Sequence, residues 1–306
     1  MPSAGARGAG EGFTSEGAAR VMAAACRWAR LDGGGAKLIR FGENALFRLA
    51  SRPVIVRVSR TVEYLPSVRN EVEVSRWLGR EGFPAARVVE DLEQPLIIDD
   101  CPVTFWHLIR EADRKATYGE LGRVLRELHT LSVPDGLSLP PYDVFGRADL
   151  RIEKVPGIPN SDREFLRNRG RELRERLTVL RFDLPKGPVH GDAHGDNLMI
   201  DRSGRAILID FENFCFDHPE WDLMVTATEY DSMKWATDQD YAAFVGAYGR
   251  DLRAWPGFAT LRAIQEFKMT TWLMQNVNES SEVFAEYMRR ISSLRDEKAP
   301  RDWLPG

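Results

Sequence analysis

Apolar positions fall into two kinds of pattern along the chain, and the change between them divides it. From Thr14 to about Leu31, Val21, Met22, Ala25, Trp28 and Ala29 recur at helical spacing, and Asp32-Gly-Gly-Gly35 ends the predicted helix. Short β-like runs follow at 37–41, 45–50 and 54–60, separated by Gly42-Glu43-Asn44 and Ser51-Arg52-Pro53 as in a β-meander. The spacing of Val68, Val72, Trp77 and Leu78 predicts a helix over 66–80, stopped at Gly82-Phe83-Pro84. Two more strands are expected at 86–90 and 95–100, before "CPVTFWHLI" leads out. Strands plus one helix over 37–106 predict a small α+β lobe.

Beyond residue 110 the 3.6-residue period dominates. Leu121, Val124, Leu125 and Leu128 mark a helix over 117–131. Residues 132–160, rich in Pro and Gly, read as loop. Ser161 and Glu164 have capping-box spacing for a charged helix over 161–180. Helices are expected at about 220–234, 238–250, 257–277 and 280–296. The expected division is a leader over 1–12, a β-rich lobe over 13–105 and a mainly helical lobe over 106–306.

The composition changes this picture little. Over 306 residues, 43% hydrophobic and 29% charged content describe a globular chain with ample core. A net charge of −4 argues against nucleic acid or an anionic membrane as partner. No run approaches the roughly 18 apolar residues of a membrane span, and the Gly- and Ala-rich start reads as a flexible leader without a signal segment. The three cysteines, Cys26, Cys101 and Cys215, are far apart and read as reduced residues of a cytoplasmic protein. Lys occupies seven positions and Arg 35, the usage of a GC-rich genome.

Candidate chemistry gathers in "PVHGDAHGDNLMI" (188–200) and "ILIDFENF" (207–214). Apolar runs at 197–200 and 206–211 flank the turn Asp201-Arg202-Ser203-Gly204, which predicts a hairpin. Antiparallel pairing returns Asn197 and Asp210 to one end of it, beside the loop carrying Asp192. An amide oxygen and one or two carboxylates there suit a hard cation such as Mg²⁺, and a further carboxylate can take a proton from an attacking hydroxyl. The order His190-Gly191-Asp192, Asn197, Asp210-Phe211-Glu212 has the spacing of the kinase catalytic and metal-binding loops.

With "HGDAHGDN", "IDFE" and "DHPEWDL" (217–223), the chain resembles the aminoglycoside phosphotransferase/choline kinase-like superfamily of small-molecule kinases. "RFGENALFRL", "NEVEVSRWLGREGFPAARVV" and "VLRELHTL" extend the resemblance over about 37–225. It implies an α+β, protein-kinase-like bilobal fold with a small β-rich N-lobe and a larger helical C-lobe. It further implies Mg²⁺-assisted transfer of phosphate from ATP or GTP to a small-molecule hydroxyl. Asp192 matches the catalytic base; Asn197 and Asp210 match metal ligands. His190 and Asp222 match residues that support the loop, and His194 either steadies it or takes a direct part.

On the nucleotide side there is no G-x-G-x-x-G, so Gly42 and Asn44 would cover the phosphates. Arg57 stands where a Lys is usual, paired with Glu71 or else Glu73; it could equally be a surface-strand cation. Phe105 and Trp106 either line the nucleobase pocket or belong to the core. The family often lines its acceptor site with carboxylates for cationic substrates, and Glu229, Asp231 and Glu266 are placed for this, against the plain reading of solvated helix charges. An antibiotic O-phosphotransferase, a resistance kinase, is the first expectation and a metabolic choline-, homoserine- or fructosamine-kinase-like enzyme the second. A non-catalytic nucleotide-binding regulator is the third, favoured only by Arg57. The short interval between "DFEN" and "DHPEWDL" disfavours a protein kinase.

Overall fold

The structure, a computed structural model, describes residues 13–296 and 298–305, so the expected leader over 1–12 lies outside the described residues. Among these, the chain forms two compact units. The first comprises the residues up to Arg114 together with Met199–Glu212; the second comprises Lys115–Leu198 and the residues from Asn213 onward.

In the first unit, helix α1 (Ser15–Trp28) is capped by Thr14, whose hydroxyl accepts the Gly17 N–H at 3.1 Å. Its apolar stripe of Val21, Met22, Ala25 and Cys26 packs on an antiparallel sheet, whereas Trp28, predicted on that stripe, is exposed at the helix end. The sheet contains β1 (Lys37–Phe41), β2 (Asn44–Arg48), β3 (Val54–Ser59), β4 (Leu96–Ile98) and β5 (Cys101–His107), in the order β1-β2-β3-β5-β4.

The period-2 alternation of β3 decides what each face holds. Val54, Val56 and Val58 enter the core with Phe47 and Phe105, while Ile55 and Arg57 take the other face. Register places Arg57 opposite Thr104 and Leu46, and Ile55 opposite Trp106. Helix α2 (Leu65–Arg80) buries Val68, Glu71, Val72, Trp77 and Leu78.

Residues 101–107, read as a lead-out, form the strand β5 between β3 and β4. Residues 86–90 make only a bridge, Val88 to Trp106.

The second unit is built on helices. The first, α3 (Tyr118–Leu128), is capped reciprocally by Thr117 and Glu120. Next come α4 (Gly146–Lys154), α5 (Asn160–Thr178) and strand β6 (Gly187–Val189). Strands β7 (Leu198–Ile200) and β8 (Ala206–Leu208), which apart from Leu198 belong to the first unit, form the predicted hairpin, its turn closed by Asp201 Oδ1 accepting from Ser203 and Arg205.

β9 (Cys215–Asp217) pairs with β6. The remaining helices are α6 (Glu220–Asp231), α7 (Asp238–Tyr248), α8 (Phe258–Met274) and α9 (Ser281–Arg295). α4 interrupts the segment read as loop, and α5 starts after Pro159 without the Ser161 cap expected for it. No helix among the described residues is long and apolar enough to cross a membrane.

Candidate active site

β6 delivers the chain to a loop that starts at His190 and is fixed from below. Gly191 has φ +80°, and a Cβ there would meet the Asn213 carbonyl oxygen at 2.3 Å. Only glycine fits. Asp222, fully buried in the first turn of α6, accepts the His190 N–H on one oxygen and the Gly191 N–H on the other, both at 2.8 Å. The His129 ring adds a third contact at 3.0 Å and is itself held by the Tyr248 hydroxyl at 2.9 Å. The buried His190 ring packs edge-on to Phe214.

Above this support the Asp192 side chain is 43% exposed, with His194 Nε2 at 3.7 Å. Burial pushes its carboxyl up, but the adjoining His194 ring and the Lys268 ammonium outweigh that and hold it down at about 2. It is therefore ionised throughout the neutral range. Desolvation acts against the charged form of His194, yet the Asp192 carboxylate keeps its pKa above the ordinary value.

The Asn197 Nδ2 donates to the Asp192 carbonyl at 2.9 Å and lies 3.1 Å from His194 Nε2. Its Oδ1 accepts nothing among the described residues, so an oxygen donor is left over for a ligand. Tyr142 donates to the Gly191 carbonyl at 3.0 Å and accepts from Lys268.

The first unit holds the other expected group. Arg57 donates to Glu71 at 2.5 Å and to Glu212 at 3.4 Å. Glu71 is thus the partner rather than Glu73, because the inward face of α2 carries it. Asp210 sits in the left-handed region at φ 64°, which Asp tolerates better than most residues. One guanidinium answers the three carboxylates Glu71, Asp210 and Glu212, which keeps its own pKa high against burial. The Glu71 carboxyl is lifted to about 7, first by burial, with Arg57 pulling against it. That excess of negative charge around Asp210 fits a divalent cation. Asp210 belongs to the first unit, Asp192 and Asn197 to the second.

Gly42 is exposed in the β1–β2 connection and Asn44, half-buried, opens β2, the Gly42 N–H donating to the Asn44 carbonyl at 3.1 Å. The Phe105 ring is in the core against α1, the second of the two readings given for it. Trp106, on the opposite face, stays half-buried, tilted at 6.4 Å from Phe211.

Glu266 is buried and spent on Ser232 Oγ at 2.5 Å and Arg301 at 3.1 Å, so it belongs to no acceptor wall. Asp231 is paired with Arg262 at 2.7 Å. Of the three acids expected there, Glu229 alone faces the loop. It accepts from the Tyr118 hydroxyl at 3.3 Å, and burial first, opposed by His194, pushes its carboxyl up to about 7. Sequence reasoning missed His129, Tyr142, Lys268 and the role of Glu212. Glu212 and His129 stood inside quoted motifs, without a role assigned to them.

Residues 41–264 match the sequence model of the phosphotransferase enzyme family. An uncharacterized protein of Mycobacterium tuberculosis, from strains CDC 1551 / Oshkosh and ATCC 25618 / H37Rv, is 24% identical over 86% of this chain and 53% of its own. The chain thus spans about half the length of the curated relatives it matches.

Among solved structures, an amicoumacin kinase in complex with AMP-PNP, Ca²⁺ and Ami superposes with a TM-score of 0.70 at 18% identity, covering 92% of this chain and 95% of the kinase. A microcompartment-associated aminopropanol kinase gives 0.66 at 18%, with 85% and 90% coverage. A choline/ethanolamine kinase family protein of Mesorhizobium loti gives 0.62 at 18%, with 94% and 95%. The architecture is the protein-kinase-like one these proteins share, and the chain belongs to the phosphotransferase enzyme family.

Proposed function

We propose that this chain transfers the γ-phosphoryl group of ATP or GTP to a hydroxyl of a small molecule, in the cytoplasm, with Asp192 as base. The observation that supports this most is a carboxylate kept ionised and accessible on a loop braced by Asp222. Asp192 orients the acceptor hydroxyl and takes its proton late, as the new oxygen–phosphorus bond forms and the bond to the leaving diphosphate breaks. Asn197 and Asp210 would hold a magnesium ion, which when bound supplies charge neutralisation to the nucleotide phosphates. Arg57, held by Glu71 and Glu212, is the side chain for a phosphate contact, under the Gly42–Asn44 connection. Trp106 is the aromatic side chain assigned to the nucleobase.

The amicoumacin kinase and the two amino-alcohol kinases among the structural neighbours support an acceptor of antibiotic type first and a metabolic alcohol second. Glu229, beside the loop, is suited to an amine on either. Mass spectrometry of ATP-dependent products against antibiotics and amino alcohols tests the reading. Asp192→Ala should lower turnover by about 10²-fold or more while unfolding at an unchanged temperature. Undiminished turnover in that variant overturns the assignment.

A further inference from the structure

The peptide that carries Asp192 is held from two sides. Asp222 takes the N–H groups of His190 and Gly191. The Gly191 carbonyl accepts from the Tyr142 hydroxyl at 3.0 Å, the donor it has among the described residues. Tyr142 is fixed in turn: its ring packs 4.9 Å from that of Trp221, and its backbone N–H donates to Asp217 at 3.3 Å. The Lys268 ammonium on α8 donates to the same hydroxyl and lies 5.0 Å from the ring's centroid. Lys268 is half-buried and forms no ion pair with a carboxylate among the described residues.

The charge on Lys268 decides which way this chain of hydrogen bonds runs. A tyrosine hydroxyl has one proton to give, whereas an ammonium only donates. With Lys268 charged, the Tyr142 oxygen accepts from it and the hydroxyl proton goes to Gly191. A neutral partner with a lone pair, an amide or an uncharged amine, can take that proton and leave the Gly191 carbonyl without a donor. Burial, and after it the Asp192 charge, lifts the Tyr142 pKa well above the ordinary tyrosine value, so the hydroxyl keeps its proton. Burial pulls Lys268 below the ordinary lysine value, so Lys268 titrates first of the two. Around it, Asp192 of the loop, Asp222 of α6 and Cys215 of β9 favour the charge, and Arg151 of α4 opposes it.

We propose that Lys268 is a positioning residue for the transfer: its ammonium turns the Tyr142 proton onto the Gly191 carbonyl and so fixes the peptide from which Asp192 projects. The position needs the charge, because a neutral donor of the same reach leaves the direction of the Tyr142 proton open. The inference rests on the phosphotransferase reading, since only there does Asp192 have a nucleophile to align.

ADP release from ATP and Mg²⁺ by the full chain, with water as the acceptor hydroxyl, tests it. Lys268→Gln and Tyr142→Phe should each lower kcat by about 10-fold and leave the KM for ATP within about twofold, the mark of a misaligned base rather than a lost nucleotide contact. The double variant should lose no more than either single one, because Lys268 acts through Tyr142. Lys268→Arg should keep the rate. A purely structural role would not move the pH profile, but wild-type kcat should fall as pH rises from about 7 to 10. That limb should be absent from Lys268→Arg, whose guanidinium stays charged, and from Lys268→Gln. Unchanged kcat in Lys268→Gln, additive losses in the double variant, or the same alkaline limb in Lys268→Arg overturns the inference. Should Lys268→Gln not fold, the profile of the wild type against that of Lys268→Arg decides alone. A wild type that releases no ADP overturns the kinase reading, and this inference with it.

Discussion

At the scale of single residues, the site depends on positions whose freedom has been removed. Gly191 has a carbonyl oxygen 2.3 Å from where a Cβ would be, together with a left-handed φ. Gly191→Ala must therefore move Asn213 or the loop itself. The backbone conformation alone costs about 1 to 3 kcal/mol, and the clash adds to it. Chemical denaturation should show a loss of at least about 2 kcal/mol; an unchanged midpoint would mean that the loop relaxes freely. Asp222 is the counterpart on the acceptor side. Both its oxygens receive backbone N–H groups in a site without water access, so the exposed Asp192 next to them is aimed by groups that never meet a substrate.

At the scale of elements, helices and strands sort residues that look alike in the sequence. Glu266 and Glu229 are both acids on C-terminal helices, yet α8 turns Glu266 inward to Arg301 and Ser232, while α6 presents Glu229 to Tyr118. Glu266→Ala should therefore act on stability rather than on recognition. Arg301, 9% exposed, loses its carboxylate partner, and a loss of about 3 kcal/mol is expected in denaturant titration. A shifted acceptor KM at unchanged stability would return Glu266 to the acceptor site.

The same sorting explains what the sequence could convey. The strand at 54–60 was legible, while the role of Arg57 stayed open until its face of β3 was known, and the Asp192, Asn197 and Asp210 spacing follows from local geometry. Lys268 and Tyr142 are 126 residues apart and meet only when α8 packs. No periodicity announces that. α6 is buried on most sides from Trp221 to Thr228, so it lacks the one-sided stripe that would have shown which way Glu229 points. Phe105 and Trp106, neighbours in sequence, go to opposite faces of β5, a strand where the sequence read a lead-out.

At the scale of the whole molecule, one acid ties the fold's stability to pH. Glu229 has an ordinary carboxyl value of 4.5 when unfolded and about 7 when folded, burial being the main cause. The native chain thus binds this proton more tightly than the unfolded chain. The stability it contributes is complete below about pH 4.5 and fades as pH rises to about 7. Asp192, with its pKa depressed to about 2, works in the other direction. Its contribution is present above about pH 4 and is lost only as pH falls towards 2, outside the window of Glu229. Glu229→Gln stays neutral throughout. Between pH 4.5 and 7.5 the unfolding free energy of the wild type should fall by about 1 to 3 kcal/mol more than that of the variant. Denaturant titrations at half-unit pH steps measure the difference, which subtracts every group that titrates alike in both proteins. Parallel curves would place Glu229 in solvent, as an ordinary surface acid. Curves that separate as pH rises would establish a desolvated carboxyl beside the loop that carries Asp192.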